Sequence, residues 1–454
     1  MVKQWTRRDV IKSALALGGG LAGLQVLNPL IPSAAAGAEA LETRNFIFCY
    51  FNGGWDILLG LDPRDPSLFR DDNRAETLIQ PAYDLQVTPN LVPLDSSVDG
   101  MWFGPYIGRL RDHADKLAII RGMSMETLTH QAGRRRFLTG KPPSGILARG
   151  SSISSVLSAQ FGPVSPIVNL SGQVESFNVD QPNYASALTV ASVEDLLRAL
   201  RAGSVSMEDL QVEQIEALLS AFQDCKRERR SRQRMLAHDT RVAATDLVNS
   251  DLGRYFDFTA NTAEMADIRG RYGIGNQLNT AGANAAMAVA AITNGISRCA
   301  SIQVASGLDT HYENWTDDQG PNQQSGFDLV ATIIEDLASK PYKGSASENW
   351  LDHTTIVGFS EFSRTSMLNA NIGRDHSLTN ACFLAGAGIR GGSIIGASSD
   401  IGMAPQSVNL ESGMVDPGGE IIRPEHIHRT LLESIGVSED IGDLRAPSIS
   451  ALLM

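Results

Sequence analysis

The sequence predicts an α/β fold with a mostly parallel central sheet, helices covering both faces of the sheet, and a helical insertion. Short apolar runs rich in β-branched and aromatic residues have the length and composition of buried strands. Helical stretches separate many of these runs, and such alternation is typical of a parallel sheet. The predicted strands are Asn45–Phe51, Leu117–Arg121, Pro166–Leu170, Cys299–Ala305, Thr354–Phe359 and Ala381–Ala385.

Predicted helices precede three of these strands, at Ile107–Ala114, Ala283–Ser297 and Gly326–Ser339. A further amphipathic helix is predicted at Pro424–Ile435, because proline suits the first turn of a helix. The helical insertion covers approximately residues 193–267. We therefore expect one α/β domain over residues 41–454, interrupted by this insertion.

Within the insertion, Cys225–Met235 carries a run of arginines. The run could bind an anionic ligand or polymer, or it could be a solvated helix face paired with nearby acids. The solvated face is the favoured interpretation, because charge runs on helices usually face water. The segment Gly60–Gly104 is rich in Asp, Pro and Asn and predicts a loop-heavy region.

The net charge of the chain is −13. A broad positive field is therefore missing, and we expect no nucleic-acid partner. The four cysteines are Cys49, Cys225, Cys299 and Cys382, and none has C-x-x-C spacing. A cysteine zinc site is therefore not expected. Three of these cysteines lie in apolar strand-like runs, which predicts buried thiols rather than disulfides.

Residues 1–40 have the features of a cleaved targeting segment. Arg7 and Arg8 form a twin-arginine pair, an apolar stretch follows, and Ala34–Ala38 offers small-residue cleavage sites. A transmembrane anchor is disfavoured because glycines and Pro29 interrupt the apolar stretch. We expect the twin-arginine export machinery as a partner, a periplasmic or extracellular location, and no stable membrane insertion after cleavage.

Potential metal ligands follow or precede several predicted strands. Asp309 and His311 come after Cys299–Ala305, and Glu361 comes after Thr354–Phe359. Ligands of open α/β sheets bind beyond the carboxyl ends of the strands, so these side chains could share one cleft. Carboxylate and imidazole groups suit zinc, manganese or iron. Also near strand ends are Asp56, Arg364, Asp375 and His376.

Another polar stretch follows the strand Leu117–Arg121. Thr129 and His130 begin it, and Arg134 follows within a run of arginines. Arginine can hold a phosphate or sulfate through two parallel hydrogen bonds. A helix N-terminus with a basic surface is the equally weighted alternative.

These pieces, in this order, resemble a family of bacterial exported proteins of unknown function in the alkaline phosphatase and sulfatase-like superfamily. The most specific parts are Asp309–His311, Glu361–Thr365 and Gly373–His376. The resemblance implies an alkaline phosphatase-like fold and a metal pair beside a nucleophile. It implies that the first ion is held by Asp309, His311 and His376, with Asp375 beside them, and the second by Glu361. Asp56 is a further candidate carboxylate.

The resemblance also implies a catalytic stretch around Phe137–Gly140, similar to a sulfatase signature. On that register Arg134 falls on the sulfatase arginine and His130 on the position of the nucleophile. Thr129 or Thr127 could substitute as nucleophile, or water activated by the metal could attack directly. Phe362 stands where the superfamily often has a second-metal histidine.

The expected function is therefore metal-dependent hydrolysis of phosphate or sulfate esters, on small molecules or polymers, outside the cytoplasm. Zinc or manganese is the expected cofactor, as one or two ions. Arg134 and Arg364 would balance charge on the transferred group. A non-catalytic binding or envelope-associated protein is the alternative, and a phosphate mutase is disfavoured because a covalent acceptor is missing from the pattern.

Overall fold

An eight-stranded sheet forms the centre of the protein. The computed structural model describes residues 44–88, 92–142, 147–200 and 252–454, and a separate pairing of Lys3–Trp5 with Val205–Met207. The strands of the central sheet are β1 (Asn45–Phe51), β2 (Leu117–Ser124), β3 (Asn169–Gly172), β4 (Leu188–Val190), β5 (Cys299–Ala305), β6 (Thr354–Ser360), β7 (Thr379–Gly386) and β8 (Ser393–Ile395).

The strand order across the sheet is β8-β2-β7-β6-β1-β5-β3-β4. Only β7 runs against its neighbours, pairing antiparallel with both β6 and β2. All other pairs in this sheet are parallel. The predicted mostly parallel sheet is therefore confirmed.

The larger helices of the described residues lie between these strands and after them. They are α1 (His130–Thr139), α2 (Ile153–Phe161), α3 (Val193–Leu200), α4 (Ala263–Tyr272), α5 (Ala281–Thr293), α6 (Gly320–Ser339) and α7 (Pro424–Ser434). The predicted helix Ile107–Ala114 is replaced by 3-10 turns over Gly108–Lys116. Thr280 caps α5 by accepting a hydrogen bond from the Ala283 N–H, which satisfies one free donor of the first turn.

The helices pack on both faces of the sheet because strand residues alternate between the faces. On β1, Ile47, Cys49 and Phe51 join one core, which includes apolar residues of α5 and α6. The intervening β1 residues, among them Phe46 and Phe48, join a second core with residues of α1, α2 and α7. Two apolar layers therefore hold the sheet between them.

Several predictions for other segments have mixed outcomes. The predicted signal segment lies outside the described residues apart from Lys3–Trp5, and so do Cys225–Met235 and the central part of the insertion. Cys49, Cys299 and Cys382 are free and buried, as predicted, and burial raises the pKa of each thiol. Among the described helices, none combines the length and apolar character needed to cross a membrane.

Candidate metal centre

Four loops meet at one edge of the central sheet. Strands β1, β5 and β6 are parallel neighbours, so the loops that follow them emerge at the same edge. The strand β2 points the same way, and the loop after it leads to His130. Because β7 is antiparallel, the loop before it, which carries His376, also lies at this edge. The topology thus brings distant parts of the chain together.

Three histidines surround one carboxylate oxygen at this edge. The Oδ1 atom of Asp309 lies 3.0 Å from His311 Nε2, 3.3 Å from His130 Nε2 and 3.5 Å from His376 Nε2. The Nε2 atoms of His311 and His376 are 2.9 Å apart. We call these four residues the His-Asp cluster.

A hydrogen-bond acceptor stands behind each histidine of the His-Asp cluster, at Nδ1. These acceptors are Glu361 Oε1 at 2.8 Å from His130, Asp375 Oδ1 at 3.0 Å from His311, and the Leu128 carbonyl oxygen at 2.6 Å from His376. A neutral imidazole that donates from Nδ1 has its lone pair on Nε2. The three lone pairs therefore face the Asp309 carboxylate, which is the orientation that metal-binding histidines adopt.

The separations within the His-Asp cluster match those of metal ligands. Two atoms that each lie about 2.0–2.1 Å from a tetrahedral zinc ion are roughly 3.3 Å apart. The four measured separations range from 2.9 to 3.5 Å. Two histidine nitrogens that both present lone pairs repel each other at 2.9 Å unless a proton or a cation lies between them. The ligand atoms of His130, Asp309 and His376 all lie within 4.8 Å of one another, so these three residues fit a divalent cation, and His311 Nε2 lies next to two of them.

Comparison with protein families matches residues 43–413 to DUF1501, described as a protein of unknown function. The chain belongs to the DUF1501 family. The matched region contains every residue of the His-Asp cluster and all eight strands of the central sheet. A comparison with curated proteins finds no match.

Two glycines allow the loops of the DUF1501 chain to approach closely. Gly53 has φ +116°, and a Cβ atom there would lie 2.8 Å from the backbone nitrogen of Asp309. A Cβ atom at Gly373 would lie 2.1 Å from the carbonyl carbon of His311. Any side chain at either position would push apart the loops that carry the His-Asp cluster.

Arg364 fixes the position of Asp309 in the DUF1501 site. Its fully buried guanidinium donates to Asp309 Oδ1 at 2.8 Å and to the backbone oxygens of Gly53, Gly54 and Arg374. Its Nη1 also lies 3.3 Å from His311 Nε2, which independently places a lone pair on that nitrogen. The sequence predicts that Arg364 contacts a transferred group, and in the structure its guanidinium donates to groups within the protein.

The electrostatics favour a charged Asp309 carboxylate beside a neutral His376 ring. Burial acts to raise the pKa of Asp309, but the hydrogen bond and charge of Arg364, with His130 and His311, lower it to about 2. Burial lowers the pKa of His376, and the charges of Arg364, His130 and His311 lower it further, against the opposing hydrogen bond to Leu128. At neutral pH, Asp309 is ionised and the ring of His376 is neutral.

Two predicted metal ligands lie behind the histidines instead of beside them. The buried Glu361 accepts hydrogen bonds from His130 Nδ1, the Gly53 N–H at 3.0 Å and the Ser360 hydroxyl at 3.0 Å. Asp375 accepts from His311 Nδ1 and from the Asn369 side-chain amide at 3.1 Å. Both carboxylates orient histidine rings, as outer partners do in metal sites.

Asp56 lies in a separate polar network of the DUF1501 fold. Its Oδ2 accepts from Trp315 Nε1 at 2.9 Å and lies 3.1 Å from Arg374 Nε, while Oδ1 accepts from the Leu58 N–H at 3.0 Å. Both Asp56 and Arg374 have fully buried side chains. The structure therefore does not bring the Asp56 carboxylate into the His-Asp cluster, although the sequence analysis predicted it as a ligand.

The stretch after β2 divides between the His-Asp cluster and its surroundings. His130, predicted at the position of a nucleophile, is the first residue of α1 and a member of the cluster. Thr129 is exposed before the helix, and its carbonyl accepts from the Gly133 N–H at 2.8 Å. Arg134 lies one turn into α1, with its Nε 3.6 Å from Glu175 Oε2.

Phe362 closes the apolar side of the His-Asp cluster. Its ring is fully buried, and its centroid lies 4.1 Å from that of His376 and 4.8 Å from that of His130. The phenylalanine that replaces an expected histidine thus packs against two rings and limits their rotation. This packing, together with the hydrogen bonds at Nδ1, preorganises the cluster.

Proposed function

We propose that this protein is an exported metal-dependent hydrolase of phosphate or sulfate esters. His130, Asp309 and His376, whose ligand atoms all lie within 4.8 Å of one another, would hold the cation, with His311 Nε2 next to Asp309 and His376. The observation that carries the proposal is the convergence of three histidine Nε2 atoms on Asp309 Oδ1, each ring anchored at Nδ1. A set of nitrogen ligands and one carboxylate suits zinc best, with manganese as the second choice.

We propose one ion instead of two. Glu361, the expected carboxylate of a second site, is fully buried and bonded to His130, the Gly53 N–H and Ser360. Phe362 stands beside it, where an imidazole would be needed for a second ion. Among the residues that the structure describes, one group of potential ligand atoms lies within 4.8 Å of one another, and it consists of His130, Asp309 and His376.

This arrangement would suit ester hydrolysis. With three protein ligands, a bound divalent cation would keep a position for water, would lower the pKa of that water and would supply Lewis acidity toward an ester oxygen. His130 Nε2 lies 3.3 Å from Asp309 Oδ1, so its ring would be a metal ligand and not a nucleophile. We therefore propose that water attacks the ester. Arg134, on the first turns of α1, is the proposed cationic contact for the phosphate or sulfate oxygens.

An alkaline phosphatase-like fold and export by the twin-arginine route complete the proposal. The mostly parallel sheet, the helices on both faces and a cluster at the carboxyl edge support the fold assignment. The arginine pair Arg7-Arg8 and the small residues Ala34–Ala38 support export to the periplasm or the cell exterior.

Purified protein is expected to hydrolyse aryl phosphates or aryl sulfates when zinc or manganese is present. Activity should disappear with a chelator and return when the metal is restored, because the cation supplies the Lewis acid. The measurement is release of the chromogenic phenol, with His376→Ala as the inactive variant and His113→Ala as the matched control. His113 lies in the 3-10 segment Gly108–Lys116 and pairs with Glu335 at 3.2 Å.

Bound metal without turnover on a broad ester panel would favour the second candidate, a non-catalytic binding protein of the cell envelope. The internal use of Arg364 is the observation that favours this candidate. Its guanidinium donates within the protein, to Asp309 and to the carbonyls of Gly53, Gly54 and Arg374. An absence of bound metal in both the wild-type protein and the His113→Ala control would contradict both candidates.

Metal affinity is expected to fall as the pH drops below about 6.5, the ordinary pKa of histidine. The lowered pKa of His376 keeps its Nε2 lone pair available at neutral pH, and protonation at lower pH removes it. Affinity is therefore retained above the histidine pKa and lost below it, while Asp309, with a pKa of about 2, stays ionised throughout. Competition titrations between about pH 5 and about pH 8 measure this; an affinity that falls with rising pH would oppose it.

A further inference from the structure

Two exposed apolar side chains lie beside His311. Tyr312, the next residue, is 65% exposed, and Ile372 is 43% exposed. Their loops are in direct contact, because a Cβ atom at Gly373 would lie 2.3 Å from the Tyr312 nitrogen. The two neighbouring loops thus expose an aromatic ring directly after His311 and a branched alkyl group four residues before His376.

A second apolar pair lies beside His376. Leu128, whose carbonyl accepts from His376 Nδ1, is exposed, and so is Leu378, two residues after His376. The two segments are joined by a hydrogen bond of 2.9 Å from the Met125 N–H to the Leu378 carbonyl. We call Leu128, Tyr312, Ile372 and Leu378 the apolar rim.

The backbone of Ile372 is strained, with φ +61°. A β-branched residue rarely adopts this left-handed conformation, which is unfavourable and persists where the surroundings enforce it. Here Asn369 enforces it, since its Oδ1 accepts from the N–H groups of Asn371 and Gly373 and its Nδ2 donates to the His311 carbonyl at 3.0 Å. Such strain concentrates at binding sites, and in this loop it accompanies an apolar side chain exposed to water.

We propose that the apolar rim binds the alkyl or aryl group of an anionic ester whose charged end lies at the His-Asp cluster. This inference rests on the proposed function and names its substrate class. Four side chains expose at most a few hundred Å², well below the roughly 1,000 Å² of a stable protein interface, so a small ligand is the fitting occupant. Polar sugar phosphates are accordingly poor substrates.

The test compares methyl-, butyl-, octyl- and phenylphosphonate binding to the zinc-loaded full-length protein by calorimetry. A fully buried methylene strengthens binding by about fourfold. Because the rim is partly open to water, butylphosphonate is expected to bind roughly tenfold more tightly than methylphosphonate. Tyr312→Ser and Ile372→Asn should cut this ratio of butylphosphonate to methylphosphonate affinity to about threefold or less.

Two controls separate binding from structure. Met414→Ser removes an exposed apolar side chain on another loop and should keep the ratio. Ile372→Asn should also raise the melting temperature, because asparagine tolerates the left-handed backbone better. A ratio near one in the native protein, or an unchanged ratio in both rim variants, would overturn the inference and leave the metal site standing.

Failure of the proposed function gives a different result. If zinc is not taken up, or methylphosphonate does not bind, the hydrolase proposal fails, and the rim is tested with anilinonaphthalene sulfonate on the metal-free protein. Weaker dye binding by Tyr312→Ser would still support an apolar-anion site. Dye binding that the variant leaves unchanged, or binding to anionic phospholipid vesicles without any dependence on phosphonate chain length, would overturn the rim.

Discussion

Replacing His376 by alanine is expected to abolish stoichiometric metal binding. The wild-type protein should retain about one zinc ion per chain after dialysis. The variant loses an Nε2 ligand that lies 2.9 Å from His311 Nε2 and 3.5 Å from Asp309 Oδ1. Its affinity should therefore fall by more than the roughly 10- to 100-fold that loss of an outer partner costs. Elemental analysis and competition with a chromogenic chelator measure both quantities.

Two further variants, Asp375→Asn and His113→Ala, are expected to have metal affinities above that of His376→Ala. Asp375 contacts His311 only from behind, so its replacement should cost about 10- to 100-fold in affinity. His113, paired with Glu335 on the surface, should be replaceable without any change in affinity. Metal uptake by His376→Ala equal to that of the wild type would remove the His-Asp cluster from consideration as a metal site.

The second large effect is expected on stability. Asp56→Asn should lower the free energy of unfolding by about 3–5 kcal/mol, because it leaves the buried Arg374 without its counter-charge. The two side chains are fully buried and lie 3.1 Å apart, and Arg374 also stacks 4.6 Å from the Trp315 ring centroid. Equilibrium denaturation followed by far-ultraviolet circular dichroism measures the loss.

Asp71→Asn is the matched control for this substitution. Asp71 pairs with Arg74 at 3.4 Å on an exposed surface, where solvent screens the pair, and its replacement should leave stability unchanged. Folded Asp56→Asn protein should still bind one metal ion, because Asp56 does not approach the His-Asp cluster. If Asp56→Asn leaves the free energy of unfolding unchanged but abolishes metal binding, Asp56 is a metal ligand.

The strands that the sequence predicted well are those buried on both faces. The runs of β1 and β5 match the observed strands residue for residue, because continuous apolar composition marks such strands. The strand predicted at Pro166–Leu170 is observed two to three residues later in the sequence, because β3 covers Asn169–Gly172. Ser171 and Gly172 are not typical strand residues, so the apolar pattern does not indicate where this strand ends. The strands β4 and β8, at the two edges of the sheet, were not predicted because each has only 3 residues, too few for a clear pattern.

The sequence predicted which loops carry the residues of the site, but not the directions in which their side chains point. Strand ends indicated the segments that carry Asp309, His311 and His376, and the fold brings these three side chains together. The sequence could not show that Glu361 and Asp375 turn their carboxylates to the far side of histidine rings. It also assigned His130 to another role, although its place after β2 put it at the same edge of the sheet as the other ligands.

The ligands of the His-Asp cluster come from parts of the chain that meet only in the finished sheet. His130 follows β2, Asp309 follows β5, and His376 precedes β7, which pairs with both β2 and β6. In an unfolded chain only Asp309 and His311 are close in sequence, so the complete set of ligands forms only on folding. Cation capture must come after the long-range strand pairing is complete, so metal content reports on the fraction of molecules that have reached the native topology.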